Sequence, residues 1–452
     1  MTESKSKRKS LAVPSGRSAR FLKVARMAAG VAGGFVAEGS RQLAKGKRPQ
    51  WQEMLLTPQN AKRVTQRLSE MRGAAMKLGQ MLSMESDSLL PPALAEILGN
   101  LRENATTMPE TQLQQSLVAA LGEDWEQRFD LFEREPLAAA SIGQVHQAEL
   151  SGQALAVKVQ YPGVSKSIDS DVDNIASLLN MTRLIPEHVE LDGILEDTKQ
   201  QLHEEADYLR EARFLAEFRQ KLEGDPRYLV PEYYAELSGK TVLTMSLVDG
   251  YPIEKLSEVS SDTRDQAMHS LFELMFNELF DWRMMQTDPN FANYRWQLDQ
   301  NDDALQARIV LLDFGATRTF KKGFVANYRK LVKAIIEGSD EELLNAAKAI
   351  GYAVDGTSDA YQRLLLDIFY LALEPIRFDE DYSFKEAQLP RRVAELAQKH
   401  GGSKDFWQTP PTDALYLHRK IGGMFMLAER LNSTVNLHSL IKPKIRHVRL
   451  AA

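Results

Sequence analysis

The chain has 452 residues, of which 26% are charged and 43% hydrophobic, with no cysteine and a formal net charge of −6. That length holds two or three domains around a large core. The missing cysteines exclude disulfides, thiolate zinc sites and a cysteine nucleophile, and the 8 histidines show no HExxH-like metal spacing.

Charge is distributed unevenly. Residues 1–49 carry 12 Lys/Arg against 2 Glu, which leaves the remainder at −16. A basic arm on an acidic body predicts a polyanionic partner. An anionic membrane surface fits better than nucleic acid, since no aromatic residue interleaves the arm before Phe21. No apolar run reaches the roughly eighteen residues a spanning helix requires. The patch Met27–Ala37 reads as a small-residue helix, with Gly30 and Gly34 four apart. Arg17, Arg20, Lys23 and Arg26 precede it, so the arm is expected to lie on a membrane surface. The expectation is a cytoplasmic protein bound peripherally to a membrane.

Residues 50–125 read as a helical extension. One helix opens at Thr57, a plausible cap, with Pro58 at its first position, and another follows Pro91 and Pro92. From about residue 126 the period changes. "LAVKVQY" and "LTMSLVDG" have the alternation of strands, interrupted by helices over 165–220. From about 252 the pattern is helical, broken by "MQTDPNFANYRW" and the strand-like "ARIVLLDFGATR". The expected fold is α+β and bilobal, with a mixed lobe over 126–247 and a helical lobe over 248–452. "HRKIGGMFMLAERL" near the end reads as a core helix without evident chemistry.

Three strings carry phosphate chemistry. Lys158, in "AVKV", lies on an alternating strand and is placed to reach nucleotide phosphates and pair with a helix glutamate. Asp288 and Asn293, in "TDPNFAN", have the spacing of a loop in which an aspartate handles the nucleophile's proton and an asparagine holds a metal. Asp313, in "LLDFG", closes an apolar strand, a suitable place for a Mg²⁺ ligand. Each string alone is weak, but the three in this order are strong. "EEADYLREA" supplies the candidate partners of Lys158; Glu211 is favoured and Glu205 stays open, because Tyr208 shares a helix face with either.

These strings, with "KLGQ" (Lys77 to Gln80) and "AAASIGQVH", resemble the UbiB family of atypical protein-kinase-like proteins, also called the AarF or ADCK type. The resemblance covers residues 50–330 by motif. It implies a bilobal protein-kinase-like fold with an N-terminal helical extension over the active site. It implies ATP or ADP with Mg²⁺, Lys158 as the nucleotide lysine, Asp288 as the catalytic-loop aspartate, and Asn293 and Asp313 as metal ligands. Lys77 and Gln80 would belong to the covering extension, which Glu205 and Asp207 would contact. Ala138, Ala139, Ala140 and Ser141 would lie over the phosphates. By resemblance the protein supports biosynthesis of ubiquinone or another isoprenoid lipid, alongside membrane-associated quinone-biosynthesis enzymes. The rivals are a small-molecule phosphotransferase and a nucleotide-switched scaffold. Where relatives often carry a hinge glutamate, this chain has Ser246.

The alanine-rich stretch is unusual for a phosphate loop. Glycine allows positive φ and close backbone approach to phosphate, and an alanine methyl opposes both. Such a loop is expected to disfavour ordinary γ-phosphoryl transfer. After "DFGATR" the chain runs almost directly into the helical "KKGFVANYRKLVKAII", leaving no activation segment to present a peptide. A lipid-like small molecule or water is therefore the expected acceptor.

Overall fold

The computed structural model describes residues 71–85, 107–182, 191–298, 307–400 and 410–446. The expectations for the basic arm, for Thr57 and Pro58, and for the helix after Pro92 lie outside these residues. The chain divides into two compact units, Met1–Arg213 with Glu232–Leu247, and Phe214–Pro231 with Val248–Ala452. The sequence-based division has no counterpart to the segment Phe214–Pro231, which leaves one unit for the other.

The first unit begins with helix α1 (Arg72–Glu85) and helix α2 (Glu110–Leu121). Strands β1 (Leu131–Phe132), β2 (Ala138–Ala139), β3 (Gly143–Leu150) and β4 (Gln153–Gln160) follow, then helices α3 (Val164–Thr182), α4 (Leu191–Glu205) and α5 (Tyr208–Lys221). The excursion Phe214–Pro231 carries β5 (Tyr228–Leu229), and the chain returns to form β6 (Val242–Ser246). The sheet has the order β1-β3-β4-β6, with β2 also paired to β3. In β4, Leu155, Val157 and Val159 alternate inward. They bury against Leu113, Leu117 and Leu121 of α2 and against Trp125. The period of two that fixes this face turns Lys158 to the other side of the sheet.

The second unit contains a sheet of order β5-β10-β9-β7, from β7 (Tyr251–Pro252), β9 (Tyr294–Leu298) and β10 (Ala307–Leu311). A two-stranded ribbon joins β8 (Met284–Gln286) to β11 (Thr317–Thr319). Helix α6 (Ser261–Phe276) is capped by the Ser260 side chain, which accepts from the Thr263 backbone N–H. It runs into a π-helical turn, Asn277–Trp282, closed by Arg283 in the left-handed region at φ 53. Helices α7 (Lys322–Glu337), α8 (Asp340–Ile350), α9 (Asp359–Ala372), α10 (Leu389–His400), α11 (Thr412–Leu431) and α12 (Leu437–Ile445) follow, with shorter elements between them. Among the described residues no helix is long and apolar enough to cross a membrane.

Candidate active site

In the first unit the Lys158 ammonium donates to both oxygens of Glu211, at 2.9 and 3.0 Å. Glu211 is 1% exposed and Lys158 14%, and the ammonium also lies 5.3 Å from the Tyr208 ring centroid. Helical spacing explains the choice of glutamate. Tyr208, Glu211 and Ala212 form the buried stripe of α5, so Glu211 faces inward. Glu205, at the end of α4, instead pairs with the buried Lys77 of α1 and accepts from Ser141 Oγ at 2.8 Å. One carboxylate therefore ties the KLGQ helix to the alanine-rich segment. Gln80 lies on α1 as well, one turn after Lys77. Asp207 makes a local contact among the described residues. Its carboxylate accepts from the Arg210 backbone N–H at 3.0 Å, a cap for α5.

The alanine-rich segment is strand and tight turn rather than open loop. Ala138 and Ala139 pair with Val145 and Gln144 of β3, and the Ala140 N–H donates to Gly143 O at 2.9 Å. No residue from Ala138 to Ser141 has positive φ, so this backbone makes no demand that only glycine meets. The demand falls on Gly143, where a Cβ would sit 2.4 Å from the Val159 carbonyl oxygen and 3.0 Å from the Tyr208 hydroxyl. A Cβ on Gly73 of α1 would likewise lie 2.7 Å from the Ser141 carbonyl oxygen. The hinge-position Ser246 accepts from the Glu232 backbone N–H at 2.9 Å and holds its own strand end.

In the second unit the three carboxylate and amide candidates sit on two short loops that are stitched together. Asp288 Oδ1 accepts from the Asn290 N–H at 3.1 Å, and Asn290 Oδ1 accepts from the Ala292 N–H at 3.1 Å. These local turns carry the chain from β8 to Asn293. The Asn293 carbonyl then accepts from the Leu312 N–H at 3.0 Å, which sets Asp313 beside Asn293. Asp313 Oδ1 accepts from the Gly315 N–H at 2.9 Å. Thr287 closes the pair of loops, its hydroxyl donating to the Ala316 carbonyl at 2.7 Å. Phe314 is fully buried with its ring 4.9 Å from Phe218.

Beneath these loops lies a charged cluster that sequence reasoning missed. Lys420 of α11 is 2% exposed. Its ammonium donates to the Tyr294 hydroxyl and to Gln286 Oε1 at 3.4 Å, with Glu278 Oε2 at 3.7 Å. Burial disfavours the charge on Lys420, but the facing Glu278 and Tyr294 outweigh it and hold its pKa above the ordinary lysine value. Burial pushes the Glu278 carboxyl up to about 7, with the Lys420 charge pulling the other way. A signal was present in the sequence: Leu417, Lys420, Met424 and Leu427 form one buried stripe at helical spacing, with a lysine at an apolar position.

The donor set suits Mg²⁺. Asp313 and Asn293 offer hard oxygen ligands, while the buried Asn293 side-chain nitrogen, a donor without a hydrogen-bond partner, calls for an acceptor such as a phosphate oxygen rather than a cation. Among the described residues no group of three or more His, Asp or Glu could hold a metal. A Mg²⁺ shared with phosphates does not require one, because it is bound through one or two side chains, water and the phosphates themselves.

Comparison with known proteins agrees with the kinase-like fold. Residues 100–347 match the ABC1 atypical kinase-like domain. The chain is 36% identical to "Atypical kinase COQ8, mitochondrial" of Saccharomyces cerevisiae over 97% of its own length and 87% of the yeast protein. It is 36% identical to "Atypical kinase coq-8, mitochondrial" of Caenorhabditis elegans over 95% of its length and 57% of the worm protein. A solved structure of Mycobacterium tuberculosis Rv3197 with erythromycin aligns at TM-score 0.57 and 23% identity, covering 86% of this chain and 96% of that one, a likeness of fold. The chain belongs to the ABC1, or UbiB, family of atypical kinases.

Proposed function

We propose that this protein is a Mg²⁺- and ATP-dependent atypical kinase or ATPase that works at a membrane surface in support of ubiquinone or other isoprenoid-lipid biosynthesis. The observation that carries the chemistry is the pair of loops that sets Asp288, Asn293 and Asp313 together. The Lys158–Glu211 pair supports it, being the lysine–glutamate pair that phosphoryl transfer on kinase-like folds requires. The COQ8 names of the relatives and the basic arm support the lipid and membrane parts of the reading.

In this mechanism Lys158 orients the nucleotide phosphates, and Glu211 keeps its ammonium in place. Bound Mg²⁺ would neutralise phosphate charge, held by Asn293 and Asp313. Asp288 accepts the proton of an attacking water or hydroxyl. The new bond forms between that oxygen and the γ-phosphorus as the bond to the β–γ bridging oxygen breaks, leaving ADP. The short path from Asp313 to α7, which begins at Lys322, supports a small acceptor rather than a peptide.

The test is phosphate release from Mg·ATP by purified protein, with and without anionic liposomes. The reading expects liposome-stimulated release that Asp288→Asn reduces by about 10²–10⁴-fold, the usual share of general acid–base catalysis. Release that is unaffected by Asp288→Asn would defeat the assignment of the catalytic aspartate, and release indifferent to liposomes would defeat the membrane part.

A further inference from the structure

The loop that carries Asp288 is secured at both ends by one side chain. Gln286 precedes Asp288 by two residues and Tyr294 follows Asn293 directly, and the Lys420 ammonium donates to both. The Tyr294 hydroxyl also donates to Gln286 Oε1 at 3.4 Å, closing a triangle under the loop. Between these ends the loop is shaped by short Asx turns and tied to the neighbouring loop through Thr287 and the Asn293 carbonyl.

Gly423 adds a second, independent contact from the same helix face. A Cβ there would lie 2.4 Å from Pro289 Cβ, and Pro289 adjoins Asp288. Gly423 follows Lys420 by three residues, so both face the loop. Helix α11 continues past both residues to Leu431, and glycine in a helix interior costs about 1 kcal/mol relative to alanine. Close approach of the loop backbone is the evident compensation.

The charge also needs explaining. A buried lysine–carboxylate pair is commonly no more stabilising than apolar side chains of the same volume. Here the π-helical turn Asn277–Trp282 delivers Glu278 as the counter-charge, itself 1% exposed. The groups facing the ammonium are Glu278 from that turn, Gln286 from β8 and Tyr294 from β9, and Asp288 is near enough to attract it.

We propose that Lys420 and Gly423 are positioning residues for phosphoryl transfer: the α11 face they share sets the loop of residues 286–294 and, through it, Asp288 and Asn293. This rests on the reading of Asp288 as the catalytic aspartate. Lys420 acts on the loop through Gln286 and Tyr294, and Gly423 acts by leaving room for Pro289.

The test uses the full chain and three variants. Lys420→Met with Glu278→Gln removes both buried charges together and leaves no unpaired ion. Gly423→Ala pushes on Pro289. Met426→Leu, at an exposed position on α11, is the control. Amide hydrogen exchange of residues 286–294 and the kcat and KM for phosphate release from Mg·ATP are measured on each. The expected result is faster exchange in the loop and a kcat about 10- to 100-fold lower, the scale of a small misplacement of a catalytic group. KM for Mg·ATP rises as well, because the displaced loop also carries Asn293, while nucleotide binding in EDTA stays within about twofold because Lys158 is untouched. Folded variants with wild-type loop exchange and wild-type kcat would overturn the proposal. If the wild type releases no phosphate, the proposed function fails, and loop exchange alone then decides whether α11 sets the loop.

Discussion

The two units each hold a lysine–glutamate pair, and the pairs differ in what surrounds them. Lys158 keeps 14% of its side chain exposed beside Glu211, whereas Lys420 is 2% exposed and ringed by Glu278, Gln286 and Tyr294. A partly open ammonium can share its charge with an arriving phosphate. An enclosed one can act only on the protein around it. On the proposed reading the same ion pair serves ligand binding in one unit and loop placement in the other, and the distinction lies in access rather than in residue type.

Breaking the first pair should give the largest effect on stability. Glu211→Gln leaves Lys158 without its buried counter-charge and is expected to cost about 3–5 kcal/mol, the usual result of removing one partner. The companion Lys158→Met/Glu211→Gln variant should recover most of that stability in thermal or denaturant unfolding while nucleotide affinity stays lost. Recovery of both would mean that the pair is structural, like the enclosed one.

A smaller effect is expected where α1 meets the alanine-rich segment. Gly73→Ala places a methyl against the Ser141 carbonyl, and such overpacking costs about 1–3 kcal/mol. Thermal unfolding reads the loss. Nucleotide affinity should change with it, because Ser141 and Lys77 share Glu205. A change in stability without any change in affinity would separate α1 from the nucleotide.

The units should also respond to pH with opposite sign. His146 in the first unit is fully buried, and burial lowers its pKa below 6.5 despite its bond to the Glu133 carbonyl. Its contribution is therefore present above 6.5 and lost as pH falls through the lowered value. Glu278 has its carboxyl raised from 4.5 to about 7, so its contribution is full below 4.5 and lost as pH rises through about 7. Stability measured across this range should fall less on the acid side in His146→Leu and less toward neutral pH in Glu278→Gln. Parallel pH curves for variant and wild type would contradict the assigned titrations.

What the sequence disclosed follows the same line of access. Lys158 stands within a short alternating strand, and Asp288, Asn293 and Asp313 stand in short strings on loops beside strands, so each reads locally. Glu211 and Glu205 were harder to separate, since helical spacing offers each a face with Tyr208 and only burial chooses between them. The alanine-rich segment read as loop from its glycine-loop position. Its pairing with β3 decided otherwise, as sheet partners override weak local preference. Lys420 stayed hidden because a lysine in an amphipathic helix ordinarily faces water, and nothing in the local string reveals that Gln286 and Tyr294 fold over it.

The chemistry proposed for this site turns on Asp313 and Asn293 serving a Mg²⁺-bound nucleotide. Its most direct measurement is the affinity for ADP with Mg²⁺ and with EDTA, in the wild type and in Asp313→Asn. Mg²⁺ is expected to tighten binding to the wild type by at least about tenfold, about 1.4 kcal/mol, and this gain is expected to disappear in Asp313→Asn. Wild-type affinity that is the same with Mg²⁺ and with EDTA would contradict it.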